Sequence, residues 1–230
     1  MNQIWIIRHG QSLSNAGLST TGPDDNVLTK LGVAQAVYAA IAVKQPPNLV
    51  VTSPYIRTQL TARPLLEKYS STPVETWSVQ EFTYLSLSLQ RTTREERIPL
   101  SVAYWQRCDP HYVDGEQAES FVSLMNRAQE TLHRLRQAQG FVVVFSHSTF
   151  MKALLWQILA TPHAFNASAM RHFHWFHMGF RVPNAAILKL EFGKQASVRW
   201  SNLQTSHIPE HLQTPKPERA IEIALADQPS

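Results

Sequence analysis

The 230-residue sequence has a single cysteine, Cys108, and no long run of apolar residues. One cysteine excludes an intramolecular disulfide framework and is typical of a protein from a reducing compartment. The apolar segment 151–160 is too short to span a bilayer and contains Lys152. The first residues lack the succession of basic, apolar and small residues that marks a signal peptide, because Ile4–Ile7 leads directly into charge. We therefore expect a cytoplasmic protein with no membrane partner.

A long basic run is also missing, although the formal net charge is +4 and the pI is about 9.3. The 21 Lys and Arg residues are scattered along the chain, without the basic and aromatic pattern of a nucleic-acid-binding module. The charge is interpreted first as a solvated basic surface, then as attraction for a small anionic substrate, and only last as binding to nucleic acid. The hydrophobic fraction of 43% is ordinary for a globular protein with one core.

Apolar runs that predict buried strands alternate with segments of helical spacing. This alternation predicts an α/β three-layer sandwich with a mostly parallel sheet and helices on both faces. The last two strands are expected to form a hairpin with Gly193 in its turn, and Ser53 with Pro54 is expected to start a helix. The predicted strands are 4–9, 49–53, 73–77, 141–147, 185–192 and 196–203, and the predicted helices are 28–43, 53–69, 116–137 and 148–160.

The chain is predicted to form one domain over residues 1–204. Segment 78–115 lacks a strand pattern and is expected to be a helical insert that covers one sheet edge and the active site. Its charged part has Arg91 four residues before Glu95, which is typical of a solvated helix face. From residue 205 the chain is polar and rich in proline, so 205–230 is interpreted as a tail on the surface, with one short helix at 218–226.

Two histidines stand at the ends of predicted strands, His9 after the first apolar run and His147 after "FVVVFS". Ligands of open α/β sheets bind outside the carboxyl ends of the strands, where the following helices offer free N–H groups. Arg8 precedes His9, and Arg57 lies in the first turn of the helix after the 49–53 strand. These side chains suit a dianionic phosphoryl group, because guanidinium groups present forked donors and an imidazole can be a nucleophile or a donor.

Each of these residues also has an ordinary structural interpretation. His9 alone would be a satisfied strand-end histidine, and Arg57 alone would be a helix-surface arginine. Gly10 favours a site, because a glycine lets the backbone approach a ligand closely.

Five ordered motifs resemble the histidine phosphatase superfamily, which is also called phosphoglycerate-mutase-like. They are "RHGQSLSN" (8–15), which carries the RHG motif, "LTKLGVAQA" (28–36), "SPYIRTQLTA" (53–62), "AES" (118–120) and "FSHS" (145–148). The resemblance implies a phosphomonoesterase in which His9 becomes phosphorylated. It also implies that Arg8, Arg57 and His147 hold the phosphoryl oxygens with help from Asn15, and that a small phosphorylated molecule is the substrate.

The same resemblance assigns the proton donor for the leaving group to Glu81. Glu119 and Asp109 are weaker candidates for this role, which the resemblance does not assign to them. Tyr84 matches the aromatic residue that usually follows. Phe82 stands where family mutases carry an arginine for a second anionic group, so hydrolysis is favoured over mutase-type transfer. Phe82 and Tyr84 are expected to form the substrate wall, together with Arg91 or Arg94. Ser148 replaces the usual glycine after the second histidine, where its hydroxymethyl group narrows the pocket.

No cofactor is expected, because two arginines and a protonated His147 could replace a metal ion during phosphoryl transfer, and no Asp or Glu spacing near these motifs indicates a metal site. A second hypothesis concerns His172, His174 and His177, which could bind a transition metal if the segment were a strand. Interleaved aromatic residues favour a structural cluster or a subunit contact instead. A third hypothesis is a non-catalytic phosphate binder. The specific phosphomonoester and the oligomeric state, a homo-oligomer included, are left open.

Overall fold

The computed structural model describes residues 2–86, 92, 94–193 and 197–214. Among these residues, no helix is long and apolar enough to cross a bilayer. Single-turn 3-10 helices occupy Ser14–Ala16 and Glu210–Leu212. The other elements are β1 (Asn2–Arg8), α1 (Lys30–Ala42), β2 (Leu49–Thr52), α2 (Ile56–Lys68), β3 (Val74–Thr76), α3 (Arg94–Arg107), α4 (Phe121–Gln137), β4 (Phe141–Ser146), α5 (Ser148–Ala160), α6 (Ala167–Gly179), β5 (Ile187–Phe192) and β6 (Val198–Trp200).

The strands form one sheet in the order β3-β2-β4-β1-β5-β6. β1, β2, β3 and β4 run parallel, whereas β5 and β6 close one side as an antiparallel hairpin. Within this sheet β1 and β4 are neighbours, with Arg8 opposite Ser146. The predicted α/β class and the closing hairpin are confirmed, and the β1–β4 register places the two strand-end histidines at one level.

Helices cover both faces of the sheet because the strands bury both of their sides. On β4 every residue is buried, as expected of a central parallel strand. Val143 and Phe145 pack with α1 and α2, whereas Val142 and Val144 pack with α4 and α5. The mostly parallel three-layer sandwich therefore follows directly from the apolar runs.

Three local expectations about elements are wrong. β3 was predicted to be a buried strand, but its three residues are exposed because it lies at the sheet edge. Helix α2 begins only at Ile56 after Tyr55, and no side chain caps it. The Ser53 hydroxyl lies 2.7 Å from His147 Nε2 and accepts a hydrogen bond from the Tyr55 N–H at 3.2 Å. Helix α4 begins only at Phe121, where Ser120 accepts a hydrogen bond from the Ser123 N–H.

The segment with the three histidines is helix α6, not a strand. His174 stacks on Trp105 of α3 with ring centroids 4.5 Å apart, while His172 is exposed. Phe173 of α6 is fully buried against Phe121. Within the described ranges no group of three His, Cys, Asp or Glu side chains could hold a metal ion. The contacts of this segment are those of a structural aromatic cluster that joins α6 to α3.

The chain after β6 returns to helix α1. Ile208 is buried, and Gln35 Nε2 donates to the Leu212 carbonyl oxygen at 2.8 Å. Residues 215–230, with the helix predicted at 218–226, lie outside the described residues, as do Arg91 and the side chain of Arg94. The predicted boundary between a domain over 1–204 and a tail over 205–230 stays a prediction.

Candidate active site

His9 and His147 meet at the carboxyl edge of the sheet because they follow the neighbouring strands β1 and β4. Their ring centroids are 5.0 Å apart. The side chains are almost completely buried, with exposed fractions of 2% and 0%. Both rings are therefore close enough to contact one phosphate-sized group.

The hydrogen bond of His9 determines which of its ring nitrogens is free. Nδ1 lies 2.7 Å from the Gly10 carbonyl oxygen, which can only accept a hydrogen bond. The neutral ring therefore carries its proton on Nδ1, and Nε2 keeps a lone pair. An imidazole held in this tautomer has the nucleophilic nitrogen that covalent phosphoryl transfer requires.

Two arginines surround the histidine pair. Arg8 donates to the Val182 carbonyl oxygen at 2.7 Å and to Asn15 Oδ1 at 3.1 Å. Its Nε is buried and has no hydrogen-bond partner in the part of the chain that the structure describes. Arg57 is 7% exposed and lies over the Tyr55 ring, 4.7 Å from its centroid. No ion pair joins either guanidinium to a carboxylate among the described residues. Their positive charge is therefore available to an anion.

Burial and mutual repulsion shift the ionisation of this cluster. Burial lowers the pKa of His9 well below 6.5, and the charges of Arg57 and Arg8 lower it further. The pKa of His147 is lowered in the same way, first by burial and then by Arg57. Burial also lowers the pKa of Arg8 to about 10, against the opposing effect of Glu81. The site thus concentrates cationic groups at a cost that a bound dianion would relieve.

His147 has one ring nitrogen in use and one without a partner. Nε2 lies 2.7 Å from the Ser53 hydroxyl, and Nδ1 is buried with no hydrogen-bond partner among the described residues. Buried polar atoms rarely stay unpaired, so an unpaired one points to an absent ligand or to a functional role. A phosphoryl oxygen beside Nδ1 would satisfy it.

Asn15 and Asn184 fix the position of Arg8 and of the backbone at His9. Asn15 Oδ1 accepts from Arg8 and also from Asn184 Nδ2, which lies 2.8 Å away. Asn184 Nδ2 lies 3.2 Å from the His9 carbonyl oxygen. The sequence motifs predict Asn15 and miss Asn184. The position of Asn184 just before β5 could have indicated it, because an antiparallel neighbour of β1 begins at the sheet edge where β1 ends.

Glu81 lies in the loop after β3, at the N-terminus of helix α5. Its Oε1 accepts hydrogen bonds from the Phe82 and Thr149 N–H groups at 3.1 and 2.9 Å. The carboxylate is near enough to affect the pKa of Arg8 and of Arg57. One oxygen is held by backbone donors, which leaves Oε2 without a hydrogen bond to any described residue.

The other predicted proton donors lie in structural contacts. Glu119 makes a two-point ion pair with Arg127, with Arg127 Nε 3.0 Å from Glu119 Oε2. Asp109 accepts from the His111 N–H at 3.0 Å in the chain after α3. Neither contact involves the histidine pair.

The predicted substrate wall lies beside Glu81. Phe82 is only 4% exposed and belongs to the core, with its ring centroid 5.2 Å from that of Tyr84. Tyr84 is half-buried, and its hydroxyl lies 2.8 Å from the Ser101 hydroxyl. Burial raises the pKa of Tyr84, and the Glu81 charge raises it further. Ser148 is the first residue of α5, directly after His147. The Glu81 charge thus acts on Tyr84, Ser148 follows His147 directly, and Phe82 lies in the core. Contact of these residues with a substrate stays a prediction.

Gly10 packs closely against the start of helix α1, and its approach to a ligand stays a prediction. A side chain at Gly10 would overlap the Gly32 carbonyl oxygen, and one at Gly32 would overlap the Gln11 carbonyl oxygen. The α1 cap residue Thr29 bonds to Gln11, and the Gly10 N–H donates to Thr61 Oγ1 at 3.1 Å. The two glycine-containing motifs thus hold the loop after His9 against α1 and α2.

Comparisons with known proteins agree with this geometry. A sequence model described as the histidine phosphatase superfamily (branch 1) matches residues 4–202. Proteins named "Probable phosphoglycerate mutase GpmB" from Yersinia pestis and Yersinia pseudotuberculosis are 25% identical over 168 residues, which cover 70% of this chain and 77% of theirs.

Solved structures show the same fold. A mycobacterial glucosyl-3-phosphoglycerate phosphatase complexed with VO3 aligns with a TM-score of 0.67 at 25% identity, over 89% of this chain and 98% of that chain. Phosphoserine phosphatase from Entamoeba histolytica in complex with 3-phosphoglyceric acid aligns with a TM-score of 0.69 at 20% identity, over 91% and 100%. The alpha-ribazole phosphatase from Shigella flexneri aligns with a TM-score of 0.66 at 22% identity, over 87% and 95%. The family match spans both histidines, both arginines and all of the sheet except the first two residues of β1, and the chain belongs to the histidine phosphatase superfamily, branch 1.

Proposed function

We propose that this protein hydrolyses a small phosphomonoester through a phosphohistidine on His9. The observation that carries the proposal is the pair of buried imidazoles, 5.0 Å apart, beside two guanidinium groups that form no ion pair with a carboxylate of the described residues. Such a pocket provides a nucleophile and positive charge at one point. Phosphoryl transfer requires little more than positioning and charge stabilisation.

In the first step His9 Nε2 attacks phosphorus, and the bond from phosphorus to the ester oxygen breaks. Arg8, Arg57 and His147 stabilise the charge on the equatorial oxygens. Glu81 in its acid form gives its proton to the departing alkoxide, which leaves as an alcohol. The hydrogen bonds of Oε1 to two N–H groups make Oε2 the oxygen that carries this proton.

In the second step a water molecule attacks the phosphorus of phosphohistidine. The Glu81 carboxylate accepts the proton of the water, the P–N bond breaks, and Nε2 regains its lone pair. Inorganic phosphate leaves, and both side chains return to their starting states.

The comparisons support this substrate class. The structural neighbours include proteins named as phosphatases of phosphoserine, of glucosyl-3-phosphoglycerate and of alpha-ribazole-5'-phosphate. We propose a comparable small phosphorylated molecule for this chain, with Tyr84 and Ser148 facing its leaving group.

Mutase-type phosphoryl transfer is the second candidate, because the Yersinia relatives are named as phosphoglycerate mutases. A mutase must grip the second anionic group of its substrate and exclude water. The residue after Glu81 is Phe82, which is buried in the core and brings no charge to the site. This position favours hydrolysis.

The test is a panel of phosphomonoesters assayed for phosphate release, with His9→Ala and the matched control His133→Ala, whose histidine is exposed on α4. We expect the first variant to lose at least about a thousandfold in rate and the control to keep full activity. Because guanidinium groups replace the metal ion, chelators are expected to leave the rate unchanged.

Equal activity of His9→Ala and the parent protein would refute the mechanism. An isomerised product that requires bisphosphoglycerate would identify a mutase, and phosphate binding without turnover would identify a binding protein.

A further inference from the structure

The hydroxyls of Ser53 and Thr58 lie behind His147, and no step of the proposed hydrolysis uses them. Both residues are fully buried. Ser53 Oγ lies 2.7 Å from His147 Nε2 and 2.8 Å from Thr58 Oγ1. Thr58 Oγ1 in turn lies 2.8 Å from the Tyr55 carbonyl oxygen. We refer to the Ser53 and Thr58 hydroxyls as the hydroxyl chain.

The Tyr55 carbonyl gives the hydroxyl chain its direction. A carbonyl oxygen only accepts, so the Thr58 hydroxyl donates to Tyr55 and accepts from Ser53. The Ser53 hydroxyl, having donated its proton to Thr58, accepts from His147 Nε2–H. The neutral His147 ring in the free site therefore carries its proton on Nε2 and a lone pair on Nδ1.

The reverse direction costs more. If Thr58 donated to Ser53 and Ser53 donated to His147, the buried Nδ1 would carry an N–H group without an acceptor. Orphaned buried N–H groups are rare because each loses a full hydrogen bond, whereas an unused lone pair costs less.

The unpaired Nδ1 atom thus carries a lone pair where an oxyanion needs a donor. The cationic groups that face His147 are Arg57, Arg8 and Arg127, with His9 beside them, and together with burial they keep the ring neutral in the free site. A bound dianion adds two negative charges to this cluster and reverses the balance in favour of the imidazolium form.

We propose that Ser53 and Thr58 are positioning residues that couple the binding of a phosphoryl dianion to the uptake of one proton by His147 Nδ1. The inference rests on the proposed function, because it requires an anion between the two histidines. The proton comes from solvent, and the new Nδ1–H donates to an oxyanion oxygen. Nε2–H remains bonded to Ser53, so the hydroxyl chain keeps its direction throughout.

The experiment is calorimetric titration of the full chain with sulfate, in buffers of different ionisation enthalpy. Sulfate remains a dianion at neutral and alkaline pH, so any proton taken up is bound by the protein. We expect an uptake close to one proton, and an affinity that falls about tenfold between pH 7 and 8.

Two substitutions at Thr58 separate proton uptake that depends on the hydroxyl chain from proton uptake by other groups. In Thr58→Val the Ser53 hydroxyl has lost its acceptor and turns to donate to Nε2, which places the ring proton on Nδ1 before the anion arrives. We expect proton uptake to be smaller than that of the parent by about one proton, and the affinity to fall about tenfold less between pH 7 and 8. Thr58→Ser keeps donor and acceptor and should behave as the parent. Lys152, whose pKa is about 8, and His9 are the same in both variants, so they do not contribute to the difference.

Full proton uptake by Thr58→Val overturns the coupling. If the valine variant fails to fold, Thr58→Ala removes the same hydroxyl and carries the same expectation. Sulfate binding by the parent protein without proton uptake overturns the coupling alone. The absence of any sulfate binding overturns the proposed phosphate pocket as well.

Discussion

His9 and His147 are the same kind of side chain in one pocket, yet their neighbours leave opposite nitrogens free. The Gly10 carbonyl holds a proton on Nδ1 of His9, so Nε2 is the free atom. The Ser53 hydroxyl occupies Nε2 of His147, so Nδ1 is the free atom. One ring can therefore attack phosphorus while the other contacts its oxygens. The assignment depends on a carbonyl and a hydroxyl rather than on any difference in charge.

The low pKa of His9 predicts a nucleophile that works in mild acid. We expect the first-turnover burst of p-nitrophenol from p-nitrophenyl phosphate to keep its rate from pH 7 down to pH 5.5, because this leaving group needs no proton. An ordinary histidine, with a pKa of about 6.5, would lose about tenfold over the same range. Rapid-mixing measurements across this range test the prediction, and a tenfold loss at pH 5.5 would contradict it.

Glu81→Gln should separate proton transfer from positioning. A glutamine oxygen can still accept the Phe82 and Thr149 N–H groups, so the loop keeps its place. We expect alkyl phosphate esters to lose about 10²- to 10⁴-fold in first-turnover rate, while the burst with p-nitrophenyl phosphate persists. Slow hydrolysis of the phosphohistidine should then limit the steady-state turnover of both kinds of ester.

Glu119→Gln is the matched comparison for this experiment. It breaks the ion pair with Arg127, so we expect a less stable protein with no dependence on the leaving group. A selective loss of activity on alkyl esters in Glu119→Gln would identify Glu119 as the proton donor.

Individual residues were predicted as far as their chemistry was visible in a motif. Arg8, His9, Arg57 and His147 follow from strand ends and motif spacing, and the structure brings the two histidine rings together. Ser53 was expected to cap a helix, because serine before proline is a common helix start. The hydroxyl instead bonds to a histidine 94 positions away. Local sequence patterns do not predict a hydrogen-bond partner this far away along the chain.

Elements were predicted better than their ends. The apolar runs located the strands of the described residues, most directly the inner strands, because strands covered on both faces are apolar along most of their length. The edge strands β3 and β6 are largely exposed. Helix α6 was the exception, since a run of aromatic and histidine residues fits a strand or a helix equally well until its neighbours are known. In the structure one of these neighbours is Trp105, on the predicted insert, which stacks on His174.

The contact between the His9 loop and the start of α1 makes Gly32→Ala a sensitive probe. The added methyl would overlap the Gln11 carbonyl oxygen, so the loop two residues after His9 must shift. We expect a loss of about 1–3 kcal/mol in the free energy of unfolding and a fall of about 10- to 100-fold in kcat/KM.

Gly179→Ala is the control for this substitution. Gly179 ends helix α6, and a methyl group there meets no atom within 4 Å. Denaturant unfolding and steady-state kinetics of both variants test the contact. A Gly32→Ala protein as active and as stable as Gly179→Ala would show that the loop tolerates displacement.

The buried neutral histidines make the stability of the whole molecule depend on pH. Burial lowers the pKa of His9 and of His147, and lowers that of His177 from 6.5 to about 3. The unfolded chain binds protons at these positions below about pH 6.5, whereas the folded protein does not. Stability is therefore complete above that pH and is lost as the pH falls below it.

His177→Gln should reduce this dependence. We expect the difference in unfolding free energy between pH 7.5 and pH 5 to shrink by about 1–2 kcal/mol relative to the parent. His133→Gln, at an exposed position, should leave the difference unchanged. Urea unfolding at both pH values tests the prediction. An equal change in unfolding free energy between the two pH values in all three proteins would contradict it.

The proposed nucleophile, His9, and the proposed proton donor, Glu81, follow strands of the sheet that have very different support. His9 and His147 extend from two inner strands that are hydrogen-bonded on both sides, whereas Glu81 follows the edge strand and leads into the segment that carries α3. Exchange of that segment among relatives would alter which alcohol fits and how fast it departs, while capture of the phosphoryl group stayed intact. New substrate preferences can therefore arise in this architecture without rebuilding its reactive centre.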